Sequence, residues 1–250
     1  MKLQLIRNAT MKFCFDQGTI LVDPCFAPKL SIYSYAGISK NPLVDLPLPI
    51  PEIIAGINAV IVSHIHSDHF EAVAQDVLPK GIPLFCQPGD EEKIRGFGFT
   101  SVKTVTEAAS FNGISFQRFE GRHGSGDVLS DMGQVSGFFF QAPGAPSVCW
   151  LGDTILTPEL EELVTDSAPD VVVTHSSGAV WGKERVKIVM DAEQTVRLCE
   201  LLPRSRIVAV HMEALDHGTV SRADLRSAAD SRGIPAARLI IPADGETVTL

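Results

Sequence analysis

The chain has 250 residues, 45% of them hydrophobic and 20% charged, and its formal net charge is -9. This composition is typical of a globular protein with one large core or two small ones, and we interpret residues 1–250 as one domain because no Pro/Gly/Ser-rich linker or charge block divides them. The negative charge and the lack of a Lys/Arg run argue against a nucleic acid as partner, so we expect a small-molecule substrate.

The N-terminal quarter of the sequence predicts two or three short antiparallel strands, LQLIR, MKFCF and TILVD. Residues 25–50 are rich in Pro, Ser and aromatic side chains without a clear period, and PEIIAG then predicts a short helix. A loop this long inside a compact domain is usually functional or mobile. From residue 58 the pattern alternates between the strand NAVIVS, the helix DHFEAVAQDVL, the strand IPLFC and the helix GDEEKIRGFG.

A second antiparallel stretch is predicted from ISFQRFEG, QVSGFFFQAP and SVCWLGD, with a glycine-rich loop at residues 121–127. The last hundred residues alternate again, through the helix LTPELEELVTD, the strand DVVVT, the helix DAEQTVRLCELL, the strand RIVAV, the helix SRADLRSAADSRG and the strand RLIIP. Mixed strands flanked by helices in two similar halves predict an α/β (α+β) fold in which two sheets pack together with helices outside.

Cysteine content and hydropathy indicate the cellular compartment in which the protein is expected. The five cysteines include no CxxC pair, and their odd number leaves at least one thiol unpaired, which favours a reducing cytosol. The first residues lack an apolar segment followed by a small-residue cleavage site, and no later apolar run reaches the roughly 20 residues that span a bilayer. We therefore expect a soluble, cytoplasmic protein with no membrane partner.

Three of the seven histidines lie in the segment SHIHSDHF, between a predicted strand and a predicted helix. Residues two apart on an extended segment share a face, so His64 and His66 can bind one ion together. Asp68 and His69 then present an oxygen and a nitrogen to a neighbouring position. The alternative is a solvent-facing loop in which Asp68 or Ser67 caps the helix. Three histidines and an aspartate this closely spaced favour a metal site.

A two-ion site needs further donors, because zinc-like ions take about four to five ligands each. Three candidates directly follow predicted strands: His123 in EGRHG, Asp153 in WLGDT and His211 in VAVHMEALDH. Each of them alone is more often a turn or structural residue. Their shared position at strand ends is what a common ligand edge requires.

The motif HxHxDH at 64–69, followed by His123, Asp153 and His211 and preceded by Asp23 in LVDP, resembles the five-motif signature of the metallo-β-lactamase superfamily. The resemblance extends over almost the whole chain and implies an αββα sandwich with the active site at one edge. The segments LVDP, NPLVDLP and HMEALDH further resemble the branch of metal-dependent hydrolases that includes ascorbate-phosphate lactonase-like enzymes. A homo-oligomer is implied by this resemblance alone.

The resemblance also implies two divalent metal ions that share one carboxylate, with zinc favoured and manganese or iron as alternatives. The implied ligands are His64, His66 and His123 for the first ion, Asp68, His69 and His211 for the second, and Asp153 for both. Asp23 matches an aspartate that orients a ligand histidine or the loop beneath it.

Such a site predicts a hydrolase. Two ions about 3.5 to 4 Å apart share a water and lower its pKa towards about 7, and the resulting hydroxide attacks a small ester, lactone or phosphoester. Asp68 has a second predicted role, to orient this hydroxide or carry a proton to the leaving group. The sequence has no G-x-S-x-G motif for a serine nucleophile.

Other residues allow two interpretations each. His175, after the strand DVVVT, either contacts substrate or lies in a surface loop. His217 either supports the site together with Glu213 or caps the segment that follows. Aromatic residues in the loops at 25–50 and 175–190 either form pocket walls or anchor those loops, and we expect the loops themselves to shape specificity.

Three alternative functions remain open at this stage. The first is a phosphodiesterase acting on RNA ends or phospholipids, against which the acidic charge and the lack of a basic amphipathic helix count. The second is a mononuclear iron oxidoreductase on the same fold. The third is a metal-dependent sensor without turnover, against which the complete ligand set counts.

Overall fold

The computed structural model describes residues 1–250, which form sixteen strands and seven α-helices. The strands are β1 (Lys2–Arg7), β2 (Thr10–Phe15), β3 (Gly18–Val22), β4 (Ala59–Val62), β5 (Leu84–Cys86), β6 (Val102–Thr104), β7 (Ala108–Phe111), β8 (Ile114–Glu120), β9 (Ser136–Gln141), β10 (Val148–Trp150), β11 (Val171–His175), β12 (Val180–Trp181), β13 (Val186–Lys187), β14 (Arg206–Val210), β15 (Leu239–Ile240) and β16 (Thr247–Thr249). The helices are α1 (Ile50–Ile54), α2 (Ala72–Val77), α3 (Glu91–Gly96), α4 (Leu129–Met132), α5 (Pro158–Ser167), α6 (Ala192–Leu201) and α7 (Arg222–Ser231). None of these helices is both long and apolar enough to cross a membrane.

The strands form two seven-stranded mixed sheets and one small hairpin. The first sheet has the order β16-β1-β2-β3-β4-β5-β6, antiparallel from β16 to β3 and parallel from β3 to β6. The second has the order β15-β14-β11-β10-β9-β8-β7, parallel from β15 to β10 and antiparallel from β10 to β7. Strands β12 and β13 pair with each other outside both sheets.

The inner faces of the two sheets pack together through a core of 21 buried residues. Its centre is aromatic: Phe13 of β2 lies 5.1 Å from Phe140 of β9, and Phe138 stacks on Trp150 of β10 at 5.8 Å, measured between ring centroids. Separate cores join α1, α2 and α3 to the outer face of the first sheet and α5, α6 and α7 to the outer face of the second. Because the sheets are buried on both faces, their parallel strands read as continuous apolar runs such as AVIV and RIVAV.

The α/β (α+β) sandwich predicted from the sequence is confirmed, with some differences in its elements. The helix predicted to begin at Asp68 begins at Ala72, because the side chain of Glu71 caps it by accepting from the amides of Val73 and Ala74. This arrangement leaves the preceding residues in a turn, where their side chains face the edge of the sandwich. Several short strands were not predicted, among them β6, β7, β13 and β16, because two to four residues carry little periodic signal.

Candidate metal centre

The predicted ligands meet where parallel strands of both sheets end. His64 lies two residues beyond β4, Asp153 three residues beyond β10, and His211 directly beyond β14. His211 and Asp23, which follows β3, both have left-handed backbone, with φ of 66° and 43°. Such conformations are uncommon for residues other than glycine and concentrate at functional sites, where the surrounding structure holds them.

One local feature fixes the position of Asp153. Gly152 has a φ of +65°, and a Cβ atom there would lie 2.6 Å from the carbonyl oxygen of Ser136. Only glycine fits this close approach between β9 and the residue that precedes the carboxylate.

The first donor group consists of His64, His66 and His123, whose ring nitrogens lie within 4.8 Å of one another. His64 Nε2 and His66 Nδ1 are 2.9 Å apart, close enough to share a proton or a cation. His123 Nδ1 donates to the carbonyl oxygen of Ile188 at 2.8 Å, which leaves its Nε2 lone pair facing the group.

The second donor group lies against the first. His69 Nε2 is 3.2 Å from Asp153 Oδ2 and 3.4 Å from Asp68 Oδ2. His211 Nε2 is 3.3 Å from the same Asp68 oxygen and 3.6 Å from Asp153 Oδ1. His123 of the first group lies 3.5 Å from Asp153 Oδ2, so this carboxylate stands between the two groups. We call the seven residues the donor cluster: His64, His66, Asp68, His69, His123, Asp153 and His211.

Asp23 organises the cluster from behind. Its Oδ2 accepts from His69 Nδ1 and from Ser63 Oγ, each at 2.7 Å, and its Oδ1 accepts from the Ser63 amide. Since the Ser63 hydroxyl donates to Asp23, it accepts the Nδ1–H of His64 at 3.0 Å. His64 and His69 therefore turn Nε2 towards the cluster, which is the nitrogen that binds a metal ion once it is deprotonated.

The charges of the cluster fit metal ions. Asp23, Asp68 and Asp153 are all buried, and their ion-pair partners are histidines without exception. Buried carboxylates need positive charge nearby, which neutral imidazoles do not supply. Imidazole and carboxylate donors are also the set that zinc, manganese and iron accept. The residues present therefore fit divalent cations.

Protonation in the cluster reflects this charge pattern. Burial lowers the pKa of His123 to about 4, so its imidazole is neutral at pH 7. Burial also lowers the pKa of His69, but the carboxylates of Asp153 and Asp68 outweigh burial and hold that pKa well above its usual range. In the protein without metal, His69 is thus the histidine that carries the compensating proton. A bound cation would take over this role.

Of the other predicted site residues, His175 lies next to the donor cluster and Glu213 does not. His175 is buried and its Nδ1 lies 2.5 Å from Asp153 Oδ1, so it lies behind the cluster and not in contact with the cavity. Glu213 is not brought to the site: its carboxylate accepts from Arg222 at the start of α7. The structure therefore does not bring Glu213 together with His217 at the cluster, because the Glu213 carboxylate is bonded to Arg222 instead.

A cavity of about 180 Å³ opens above the donor cluster. Tyr33, Tyr35 and Trp181 form one side of it, which we call the aromatic wall. Tyr35 packs against the other two rings, at centroid distances of 5.1 Å from Tyr33 and 6.5 Å from Trp181. Its hydroxyl lies 2.7 Å from Ser67 Oγ, which connects the wall to the segment carrying the first donors.

His217 also lines the cavity, and the edge of its ring meets Tyr35 at a centroid distance of 5.0 Å. Its Nδ1 is enclosed without a hydrogen-bond partner, which leaves Nε2 as the ring nitrogen available to a bound molecule. Burial lowers the pKa of His217, so the ring is neutral at pH 7.

Asp216 fixes the loop that carries the two tyrosines. Its carboxylate accepts from the Ser34 hydroxyl, the Asn41 side-chain amide and the amides of four loop residues: Tyr35, Ala36, Ile38 and Ser39. Burial raises the pKa of Asp216, but the hydrogen bonds from Ser34 and Asn41 outweigh burial and hold that pKa well below its usual range. The loop that carries the two tyrosines of the aromatic wall is therefore held by one ionised side chain that is distant in sequence.

A family model for a β-lactamase superfamily domain matches residues 18–212. The chain belongs to the metallo-β-lactamase superfamily. UPF0173 protein YddR of Bacillus subtilis (strain 168) is 32% identical over 255 residues, with 100% of each chain covered. Two solved structures are also 32% identical and cover 100% of this chain and 99% of their own. One is a possible metal-dependent hydrolase from Veillonella parvula DSM 2008, with a TM-score of 0.95, and the other is isothiocyanate hydrolase from Delia radicum gut bacteria, with a TM-score of 0.94.

This superfamily member is accordingly a metal-dependent hydrolase with a buried His/Asp cluster. The narrower resemblance to ascorbate-phosphate lactonase-like enzymes stays a prediction. Sequence reasoning missed Asn8, whose amide lies 3.5 Å from Asp68 Oδ2, and Ser177, whose hydroxyl lies 3.3 Å from His211 Nδ1. Neither position carries a motif, and only its tertiary contact identifies it.

Proposed function

We propose that this metallo-β-lactamase superfamily protein hydrolyses a small, uncharged electrophile with an apolar substituent, and that isothiocyanates are the first class to test. The observation that carries the proposal is the lining of the cavity. Beside polar donors and acceptors, five of its twelve lining residues are apolar or aromatic, and none of the twelve is Lys or Arg. Recognition of a phosphate or a free carboxylate would call for a cation of this kind beyond the metal site.

The size of the cavity supports the same class. An apolar cavity of about 150 Å³ holds benzene, so about 180 Å³ suits one ring or a short chain beside a reactive group. This volume, like the absence of lining cations, disfavours RNA ends and phospholipids. One of the relatives with 32% identity and almost full coverage is an isothiocyanate hydrolase, which makes that class a natural candidate among neutral electrophiles. Neutral esters and lactones of similar size belong to the same proposal.

We assign the roles of the residues as follows. The residues of the donor cluster would hold two divalent ions, with Asp153 as a donor available to both, and the bound ions would supply an acidified water and polarise the substrate. Asp68 borders both the cluster and the cavity, so its carboxylate can orient the attacking water and move a proton to the leaving nitrogen or oxygen. His217 Nε2 offers a hydrogen bond to the bound electrophile. The aromatic wall excludes water and packs against the apolar substituent.

For an isothiocyanate the reaction balances without a further reagent. The oxygen of water adds to the central carbon of R–N=C=S, both water hydrogens pass to nitrogen, and the C–N bond breaks to give R–NH₂ and O=C=S. All five cysteines are free thiols, which favours a reducing compartment such as the cytosol. We also propose that the chain acts as one domain, because both sheets contribute to the same inner core.

The test is a substrate panel on protein reconstituted with zinc and, separately, with manganese. Benzyl isothiocyanate, a neutral aryl ester, a neutral lactone and bis(p-nitrophenyl) phosphate are compared by kcat/KM, with amine and carbonyl sulfide release as the isothiocyanate readouts. We expect at least one neutral substrate to exceed the phosphodiester by a hundredfold or more, and Asp153→Ala to abolish the turnover. Preferential cleavage of the phosphodiester would contradict the proposal, and oxygen uptake would instead indicate an iron oxidoreductase.

A further inference from the structure

A buried hydrogen-bonded chain runs from the inner core to the donor cluster. Trp150 at the end of β10 donates its indole Nε1–H to His175 Nε2 at 3.1 Å, and His175 Nδ1 lies 2.5 Å from Asp153 Oδ1. All three residues are buried, with exposures of 0%, 1% and 3%. These hydrogen bonds connect the adjacent parallel strands β10 and β11 to Asp153, the residue between the two donor groups.

The two hydrogen bonds of the His175 ring fix its tautomer. An indole N–H only donates, so His175 Nε2 must accept and cannot carry a proton. A neutral imidazole then carries its proton on Nδ1, which points at the Asp153 carboxylate and donates to it. This bond is charge-assisted, because its acceptor is a carboxylate.

The same tautomer decides what His175 cannot do. By distance alone its ring belongs with His69, Asp153 and His211, since the donor atoms of all four lie within 4.8 Å of one another. A protonated Nδ1 has no lone pair for a metal ion, however. His175 does not line the cavity either, so it does not contact substrate.

We propose that His175 is a positioning residue that holds Asp153 Oδ1, and that Trp150 sets the tautomer this requires. With Oδ1 held by His175, Asp153 Oδ2 is directed to His69 at 3.2 Å and His123 at 3.5 Å, one histidine from each donor group. Groups that orient a ligand from behind typically change metal affinity by about 10- to 100-fold. The tautomer assignment stands without the proposed function, whereas the effect on metal affinity rests on it.

The first experiment reads the tautomer directly. Long-range ¹H–¹⁵N correlation spectra are recorded on imidazole-labelled protein, without metal and after loading with ¹¹³Cd, and His175→Asn identifies the His175 signals. We expect a proton on Nδ1 and a bare Nε2 in both states, with no ¹¹³Cd splitting at His175. A protonated Nε2, or splitting of the Nδ1 signal by ¹¹³Cd, would overturn the proposal. Absence of ¹¹³Cd splitting from every histidine would instead contradict the metal site while leaving the tautomer assignment intact.

The second experiment compares His175→Asn with His175→Leu. Asparagine keeps an N–H near the position of Nδ1, whereas leucine has a similar size and no donor. Zinc affinity is measured by competition with a chromogenic chelator, which needs no turnover. We expect leucine to weaken binding by about 10- to 100-fold and asparagine to restore most of the loss. Equal affinities in the two variants would contradict a positioning role.

A third comparison tests Trp150. Trp150→Phe keeps an apolar ring but removes the N–H, whereas Trp181→Phe removes an indole N–H that bonds Asp131 outside the donor cluster. We expect Trp150→Phe to introduce the Nε2–H form of His175 and to weaken zinc binding several-fold, and Trp181→Phe to change neither. An unchanged tautomer in Trp150→Phe would show that Trp150 does not set it. If the core substitution prevents folding, the spectrum of the unaltered protein still decides the tautomer.

Discussion

The donor cluster and the aromatic wall border the same cavity, but they are held in place differently. The cluster stands at the ends of buried strands. The ring nitrogens that point away from the cluster are held by other groups: Asp23 accepts from His69, the Ile188 carbonyl accepts from His123, and the Ser177 hydroxyl lies beside His211. Tyr33 and Tyr35 of the wall stand on a long loop and Trp181 stands in the short strand β12, outside both large sheets, and Tyr33 is 64% exposed. The loop that carries Tyr33 depends on the single carboxylate of Asp216. We therefore expect reaction chemistry to depend on the rigid strand ends and substrate choice on the segments that carry the wall, which tolerate change.

The largest expected effect comes from Asp68, one of the four cluster residues that line the cavity. Asp68→Asn keeps the shape of the side chain but removes its charge and its ability to move a proton. We expect kcat to fall by about 10²- to 10⁴-fold. At least one ion per chain should remain, on His64, His66 and His123. Steady-state kinetics and elemental analysis measure the two quantities, with the exposed Asp45→Asn as control. Normal turnover with full metal content would remove Asp68 from the chemistry.

Because His123 is neutral in the folded state, we expect the stability of the metal-free protein to depend on pH. Burial lowers the pKa of His123 to about 4, below the value of about 6.5 in an unfolded chain. As the pH falls, the unfolded state therefore takes up this proton first. The stability linked to His123 is complete above about pH 6.5 and is lost as the pH falls towards 4.

A His123→Asn variant lacks this titration. Between pH 7 and pH 4 we expect the free energy of unfolding of the unaltered protein to fall by about 3 kcal/mol more than that of the variant. Urea unfolding in the presence of a chelator measures both proteins. A difference that grows in the opposite direction would mean that His123 is charged in the folded state.

A smaller effect, confined to substrate binding, should follow from loosening the aromatic wall. Asp216→Asn removes the charge that accepts the loop amides and sets an amide N–H against some of those donors. We expect KM to rise about tenfold, equivalent to about 1.4 kcal/mol, with metal content unchanged and kcat little changed. The exposed Asp76→Asn serves as control. Loss of metal from Asp216→Asn would show that wall and cluster are not independent.

The smallest effect concerns one hydroxyl of the wall. Tyr35→Phe removes the contact with Ser67 Oγ, a hydrogen bond worth about 1 kcal/mol, so KM should rise by about threefold to fivefold. Tyr33→Phe is the matched control, because the Tyr33 hydroxyl forms no hydrogen bond within the protein. Equal effects of the two substitutions would mean that the link between wall and cluster does not contribute to binding.

The difference between strand ends and loops also explains which site residues could be predicted from the sequence. Ligands of the cluster follow apolar strands, so His64, Asp153 and His211 could be placed at one edge from pattern and spacing. Asp23 was found through the resemblance of LVDP to the family signature, and the structure places it directly after β3. The alternation of strands and helices likewise predicted the two mixed sheets and their outer helices.

The contacts that fix these residues could not be predicted in this way. Asp216 bonds to a loop that lies more than 170 positions away in the sequence. Trp150 lies in an apolar strand, so the sequence gives no sign that it differs from any other core residue. His175 was weighed as a substrate contact because it follows a strand at the expected edge. Its actual role depends on which nitrogen carries a proton, and that is set by a partner 25 positions away.

The central claim is that the donor cluster holds two metal ions with Asp153 between them. Elemental analysis of metal per chain, after reconstitution with zinc and separately with manganese, tests it most directly beside Asp153→Ala. The account predicts two ions per chain in the unaltered protein and one or fewer in the variant. One ion or none in the unaltered protein, or two ions retained by Asp153→Ala, would contradict it.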